Sequence, residues 1–440
     1  MEGRECSIPI GGDEFEMSME TTLARNPVPV IVQQHVEDAA ILRGIRSVLV
    51  RAPHVKLHQL GRLDERLAAH LDGVAVSGEY GAGLAGAALE SPSAGAVFVF
   101  AVRAIEDKDL RKLDQVFAVA EALPEVEAGL ISAFGWVSSQ FLQGTVSQLL
   151  GSRSPFRRRV GLAACALHRV QPAAALESAL TDADPILRAR ALKAIGELGP
   201  RDKVPSLARA ATDEDPDCQV WAVWSAVLVG ERGAALDYLT RAGLAQSEEG
   251  HRAFRLALRA MAMPRALEVL RLLAKDPGAN RTLIQGAGIA GDPAYVPWLI
   301  KQMADIKLTR LAGEAFTAIT GVDLADQDLE VRPPEAGEFG PSENPEDQDV
   351  SMDQDDSLPW PDPEKITDWW SKHAPRFQPG VRYFLGEPPN WDHCCRALKE
   401  GRQRQRIAAA EYLCLLKPGT VLFNCAAPTW RQQRWLKALG

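Results

Sequence analysis

The sequence predicts an all-α fold: a solenoid of helical hairpins, with a helical N-terminal region before it and a C-terminal helical hairpin after it. Three observations carry this. DADPILRARALKAIGELG, from Asp182 to Gly199, is nearly repeated by DEDPDCQVWAVWSAVLVG, from Asp213 to Gly230, 31 residues further on, and tandem similarity at that period marks stacked helical repeats. Each copy has a helix start and a helix stop. Neither copy can bury its apolar face alone, so further copies must stack on it.

Within each copy, an aspartate ahead of Pro185 or Pro216 can accept hydrogen bonds from free backbone N–H groups, and the proline suits a first helical turn. Leu187, Ala191, Leu192 and Ile195 recur at helical spacing, and Gly199 and Gly230 can turn left-handed to end the helix. Pro205 then opens a second, shorter helix running through Leu207 to Ala211. Upstream, Ser154 to Val170 aligns at an offset of 30, matching Leu162 to Leu192 and Cys165 to Ile195. Downstream, Gly288, Gly291, Val296, Pro297 and Leu299 repeat Gly196, Gly199, Val204, Pro205 and Leu207 at an offset of 92, three units on. The array is therefore expected over 152–322.

Residues 1–25 carry no helical pattern and read as a flexible tail. The region 26–151 reads as helical: Leu57, Leu60, Leu63, Leu67 and Leu71 form an amphipathic stripe, and shorter apolar stretches follow at 82–89, 96–105, 110–122 and 126–150. They suit degenerate repeats capping the array, although 96–102 also reads as a local strand. Residues 323–362 are acidic, Pro-rich and nearly free of aliphatic side chains, and are expected to be a disordered linker. That linker could tether the terminal hairpin or mask a basic groove. Order is expected to resume over 363–440.

The 440 residues are 46% hydrophobic and 24% charged, as in an ordinary soluble protein. The opening lacks a signal-peptide pattern and no apolar run approaches the roughly 20 residues that span a bilayer, so a cytoplasmic location is expected. The formal net charge of −9 is uneven: 13 acidic residues against Arg332 alone lie between Asp323 and Asp356, leaving +3 elsewhere. Seven cysteines are scattered without paired CxxC motifs, which favours reduced core thiols over zinc.

Among candidate residues, Asp182 and Arg188 are six apart, and Ser152 with Arg158 and Asp213 with Gln219 hold the matching positions. Stacking brings these into a structural ladder of hydrogen bonds. Trp221 and Trp224 align with Arg190 and Lys193 of the preceding unit. If those positions face solvent, the four residues form a protein-binding patch; otherwise the tryptophans pack under the next hairpin. His54, His58 and His70 invite a metal, as His393, Cys394 and Cys395 invite redox chemistry. Surface or core roles fit both sets better, and neither a metal nor a cofactor is expected. GAGLAG, from Gly81 to Gly86, lacks the following GK[ST] of a phosphate loop. Arg157, Arg158 and Arg159 fall partly in the ladder and partly in water.

The Asp-x-Asp-Pro start, the arginine six residues after the first aspartate and the Ala/Leu spacing resemble HEAT repeats. LDERLAAHLDG, GLAACALHRV, RARALKAIGELG and VWAVWSAVLVG, with the C-terminal RYFLGEPPNW and APTWRQQRWL, together resemble an uncharacterised bacterial HEAT-repeat family. Its genes often stand beside type VI secretion spike and effector genes. That resemblance implies an accessory or adaptor role and no catalytic residues. At Gln219, which replaces arginine, the ladder is expected to be interrupted.

The function expected is a non-enzymatic protein-binding scaffold, its partner a secretion effector or spike component. Two alternatives stand beside it. A HEAT-like DNA-binding protein or DNA glycosylase needs a continuous basic stripe, and the basic residues do not visibly line up. A repeat-type lyase needs an acid–base pair, and the sequence offers none that is distinctive.

Overall fold

The computed structural model describes residues 26–242, 248–334 and 353–439. Among these it is all-helical, with 22 α-helices, short 3-10 turns and isolated bridges in place of strands. The tail expected over 1–25 lies outside the described residues.

Capping sets the helix starts. Asp184 Oδ1 accepts from the Leu187 N–H at 2.8 Å, Asp215 Oδ1 from Cys218 at 2.9 Å, and Ser154 Oγ from Arg157 at 3.4 Å. The helices Pro155–His168, Pro185–Leu198 and Pro216–Leu228 begin there, each with proline in its first turn. The second helix of the central hairpin is Val204–Ala210.

These long helices stack side by side with Glu248–Ala260, Asn280–Ala290 and Thr309–Thr320. Leu187, Ala191, Ala194 and Ile195 are fully buried in a core that runs from Leu162 to Ala290. The row continues upstream: Glu127–Trp136 packs on Pro155–His168, and Ala94–Glu106 packs on both Glu127–Trp136 and Pro29–Leu49. The strand considered at 96–102 is helix. Every residue from Gly95 to Ile105 is buried, and a helix enclosed on all sides loses the polar face that would reveal its period.

The acidic stretch expected to be a linker over 323–362 is packed at both described ends. Leu324 and Leu329 are buried, Arg281 grips Asp355 at 2.6 and 3.0 Å, and Arg310 pairs with Asp353 at 2.7 Å. The two ends also pair with each other, Val331 N–H donating to Trp360 and Asp362 N–H to Leu329. Average composition hid this, because a few leucines and arginine-matched carboxylates suffice. Residues 335–352 lie outside the described residues.

Residues 363–439 pack back on the array. They run back along the C-terminal ends of the long helices, where four carbonyls per helix lack an internal donor. Leu385 and Gly386 N–H donate to Ala318 and Ile319, Tyr383 N–H to Gly291, and Leu422 N–H to Glu197. The Arg382 guanidinium donates to Leu258, Arg259 and Met261, and Arg431 to Gly135 and Val137, cations at the negative ends of helix dipoles. Gln403 reaches Val50 and Val55 at the other end of the molecule. Within the terminal segment, Arg406 is fully buried and donates to Leu398 O, Gln403 and Gln432.

Candidate functional site

The structure brings the ladder residues together between units. Arg158 Nη1 lies 2.7 Å from Asp182 Oδ2, and Arg188 grips Asp213 at 2.8 and 3.1 Å while also donating to Asp182 O. Arg188 holds the Asp213 carboxyl below its ordinary value. Burial opposes the same shift at Asp182, but the Asp184 N–H and Arg158 outweigh it. At Gln219 the ladder changes chemistry without stopping: Nε2 donates to Asp213 O, and Oε1 accepts from the Tyr238 hydroxyl at 2.8 Å. Ser152 Oγ accepts from the Ser154 N–H.

The second set of residues lies on the inner wall of the stacked helices. Arg190, Trp221 and Arg252 succeed one another at 31-residue steps, as do Lys193, Trp224 and Arg255, and Glu197, Leu228 and Arg259. Charged positions that do not visibly align in the linear text therefore form rows once stacked. Lys193 Nζ sits 4.1 Å from the Trp221 ring centroid and Arg252 Cζ 5.4 Å, a cation from each neighbouring unit. The two indoles meet edge to face at 5.4 Å.

An open indole pair does not exist here: Trp221 is 9% exposed and Trp224 4%. The Arg252 side chain of the next unit lies over Trp221, and Trp224 packs into the core beneath. Trp221 still borders a cavity of about 260 Å³, lined also by Glu127, Arg159, Arg190 and Lys193. Arg159 pairs with Glu127 and Arg190 with Glu197. Burial pushes the Lys193 amine down to about 8, and Arg190, Arg252 and Arg51 add to the effect against the pull of Glu197. Towards the C-terminal ends of the helices the wall is covered. There Glu411, on the terminal helix Gln403–Leu416, meets Arg259.

The remaining candidates resolve as structure. His54 precedes the helix Leu57–Val76 that carries His58 and His70, and His70 meets His35 rather than either of them. No cluster of His, Cys, Asp or Glu suited to a metal occurs among the described residues. His393 bonds to Phe384 O, and burial pushes the Cys394 thiol up to about 12, leaving it unreactive. Gly81 and Gly86 lie inside the helix Gly78–Ala87. Arg157 pairs with Asp114. The cation rows could have been found from sequence by extending the 31-residue register past Trp221 to Arg252.

Residues 173–259 match the model of the HEAT repeats family. The chain thus carries HEAT repeats, and the match covers the second helix of the first hairpin through the Glu248–Ala260 helix. No curated protein matches the chain.

Proposed function

We propose that the chain is a non-enzymatic protein-binding scaffold or adaptor of the cytoplasm. Its contact surface is the inner wall bearing Arg190, Lys193 and Trp221, with Trp224 packed beneath them. The partner class is a bacterial type VI secretion effector or spike component, which is what the sequence resemblance implies. The observation that carries the reading is the bracketing of Trp221 by Lys193 and Arg252 at the edge of an open cavity. Arginine and tryptophan held in fixed positions are the side chains that dominate protein interfaces. HEAT repeats generally serve as interaction scaffolds, which supports it further.

The aligned cations give one reason to keep a DNA-binding reading in view. Against it, Glu197 and Glu411 interrupt the cation rows, and the terminal segment covers their far end. For a DNA glycosylase or a lyase, the acids enclosed in the wall, Glu127 and Glu197, are both held by arginines, and Asp217 stands exposed at the rim.

The test is capture of tagged full-length protein from its native cells beside a Trp221→Ala variant, with nuclease and at two salt concentrations. Retention of secretion spike or effector proteins by the parent at the higher salt, and their loss from the variant, is expected. Recovery of nuclease-sensitive material alone, released as salt rises, would replace this reading with the nucleic-acid one.

A further inference from the structure

We propose that the cavity between the helices Pro185–Leu198 and Pro216–Leu228 is a receptor for a dianionic oxyanion, a phosphoryl or sulfuryl group, centred on Lys193 with Arg190 and Arg159 beside it. The site stands on its own geometry and does not require the scaffold reading.

The argument starts from charge. Of the carboxylates around the cavity, Glu197 is engaged by Arg190, Glu127 by Arg159 and Asp215 by the Cys218 N–H it caps, while Asp217 stays out at the exposed rim. Lys193 is half-buried, lines the cavity, and makes no ion pair among the described residues; its ammonium rests on the Trp221 ring. Three guanidinium groups, Arg190, Arg252 and Arg51, stand close enough to disfavour its charge. Glu197, the nearby opposite charge, is already paired with Arg190, so the ammonium has no ion-pair partner of its own among the described residues.

Hydrogen bonding points the same way. Arg190 Nη1 and Arg159 Nε are buried without an acceptor. With the Lys193 ammonium, the unsatisfied groups around this cavity are all donors, so the matching ligand carries only acceptors. Three donors on three separate side chains suit the three peripheral oxygens of a phosphoryl or sulfuryl group better than the two of a carboxylate. Pro185, Ile186 and Ala189 supply an apolar wall that strengthens each contact, while Asp217 stands exposed at the rim. The volume of about 260 Å³ admits the group and the atoms that carry it, so the ligand can be a free anion or a modified side chain.

Sulfate is the first probe, because its charge is constant across the range in which Lys193 titrates. Calorimetry of the full-length protein in two buffers of different ionisation enthalpy should show one site, with uptake of part of a proton near about pH 8. Affinity should fall about tenfold or more between about pH 7 and about pH 9.5. Lys193→Met should abolish the proton uptake and weaken binding at least about tenfold. Inorganic phosphate and a phosphoserine peptide then separate the sources: tighter binding of the peptide assigns the group to a protein partner, and equal binding assigns it to a free anion. Sulfate binding to the parent without proton uptake, or unchanged in Lys193→Met, means an adventitious ion only and overturns the proposal. The two-buffer measurement needs the parent protein alone, so it decides even if the variant folds poorly.

Discussion

Arg259 Nη1 donates to Glu411 Oε2 at 2.5 Å, and the two side chains are only 9% and 7% exposed. This pair joins the fourth long helix of the array to the terminal helix, 152 residues later in the chain. Removing one partner of a buried pair strands the other charge. Glu411→Ala should therefore lower stability by about 3 kcal/mol or more, read as a shift in the urea midpoint. The double variant Arg259→Met with Glu411→Met should recover much of that loss; equal damage from single and double variants would show that the pair matters through packing alone.

The ladder predicts a pH-dependent cost. Arg188→Ala should destabilise by about 1–2 kcal/mol near neutrality, since it removes two charge-assisted bonds to a largely covered carboxylate. The Asp213 carboxyl is held below its unfolded value of 3.8, so its contribution is present above that value and lost as pH falls through the folded one. Chemical denaturation of parent and variant should converge below about pH 3. A constant gap would assign the loss to the Arg188 bond with Asp182 O instead.

Lys193 carries the opposite sign. Its folded value of about 8 lies below the ordinary 10.5, so the unfolded chain binds the proton more readily and the charged amine weakens the fold below about pH 8. Lys193→Met should raise stability near neutrality by about 1–2 kcal/mol, allowing for the lost contact with Trp221 and partial solvent screening. The gain should shrink between about pH 8 and 10.5 as the parent amine sheds its proton. A thermal-melt difference independent of pH would refute this account.

Gly291 tests the terminal segment. Its φ of +76° is left-handed, and a Cβ there would press on the backbone carbonyl of Tyr383, whose own N–H donates to Gly291 O. Gly380 shares the left-handed φ at +80° but has open space around it. Gly380→Ala should cost about 1 kcal/mol of strain alone, whereas Gly291→Ala should cost about 2 kcal/mol or more. Limited proteolysis should then find the 374–390 stretch opened only in Gly291→Ala.

The hairpins between Asp182 and Gly230 were legible because capping is local chemistry: Asp184, Pro185 and Gly199 state where a helix begins and ends within eighteen residues. The inner wall was half legible. Alignment put Trp221 and Trp224 opposite Arg190 and Lys193, but whether that side was open depends on how the next unit's Arg252 lies over Trp221, which no single repeat states. The course of residues 363–439 left no trace, because most of its anchors are backbone carbonyls such as Glu197 O and Ala318 O, which any residue type supplies. The packed ends of the acidic stretch escaped for a related reason: the match of Asp355 to Arg281 spans 74 residues and does not alter composition.

The path of the last seventy-odd residues changes what kind of repeat protein this is. An open solenoid is quasi-one-dimensional, so its end units fray first and losing one removes little more than that unit. Here residues 382–431 touch Leu258, Gly291, Ala318, Val50, Glu197 and Gly135 in that order along the segment. Loop closure over as many as 353 residues must precede those contacts, which link helices far apart in the chain. Until this segment docks, the helix ends it covers are bare, and once docked it ties the helices around Val50 to those around Ala318.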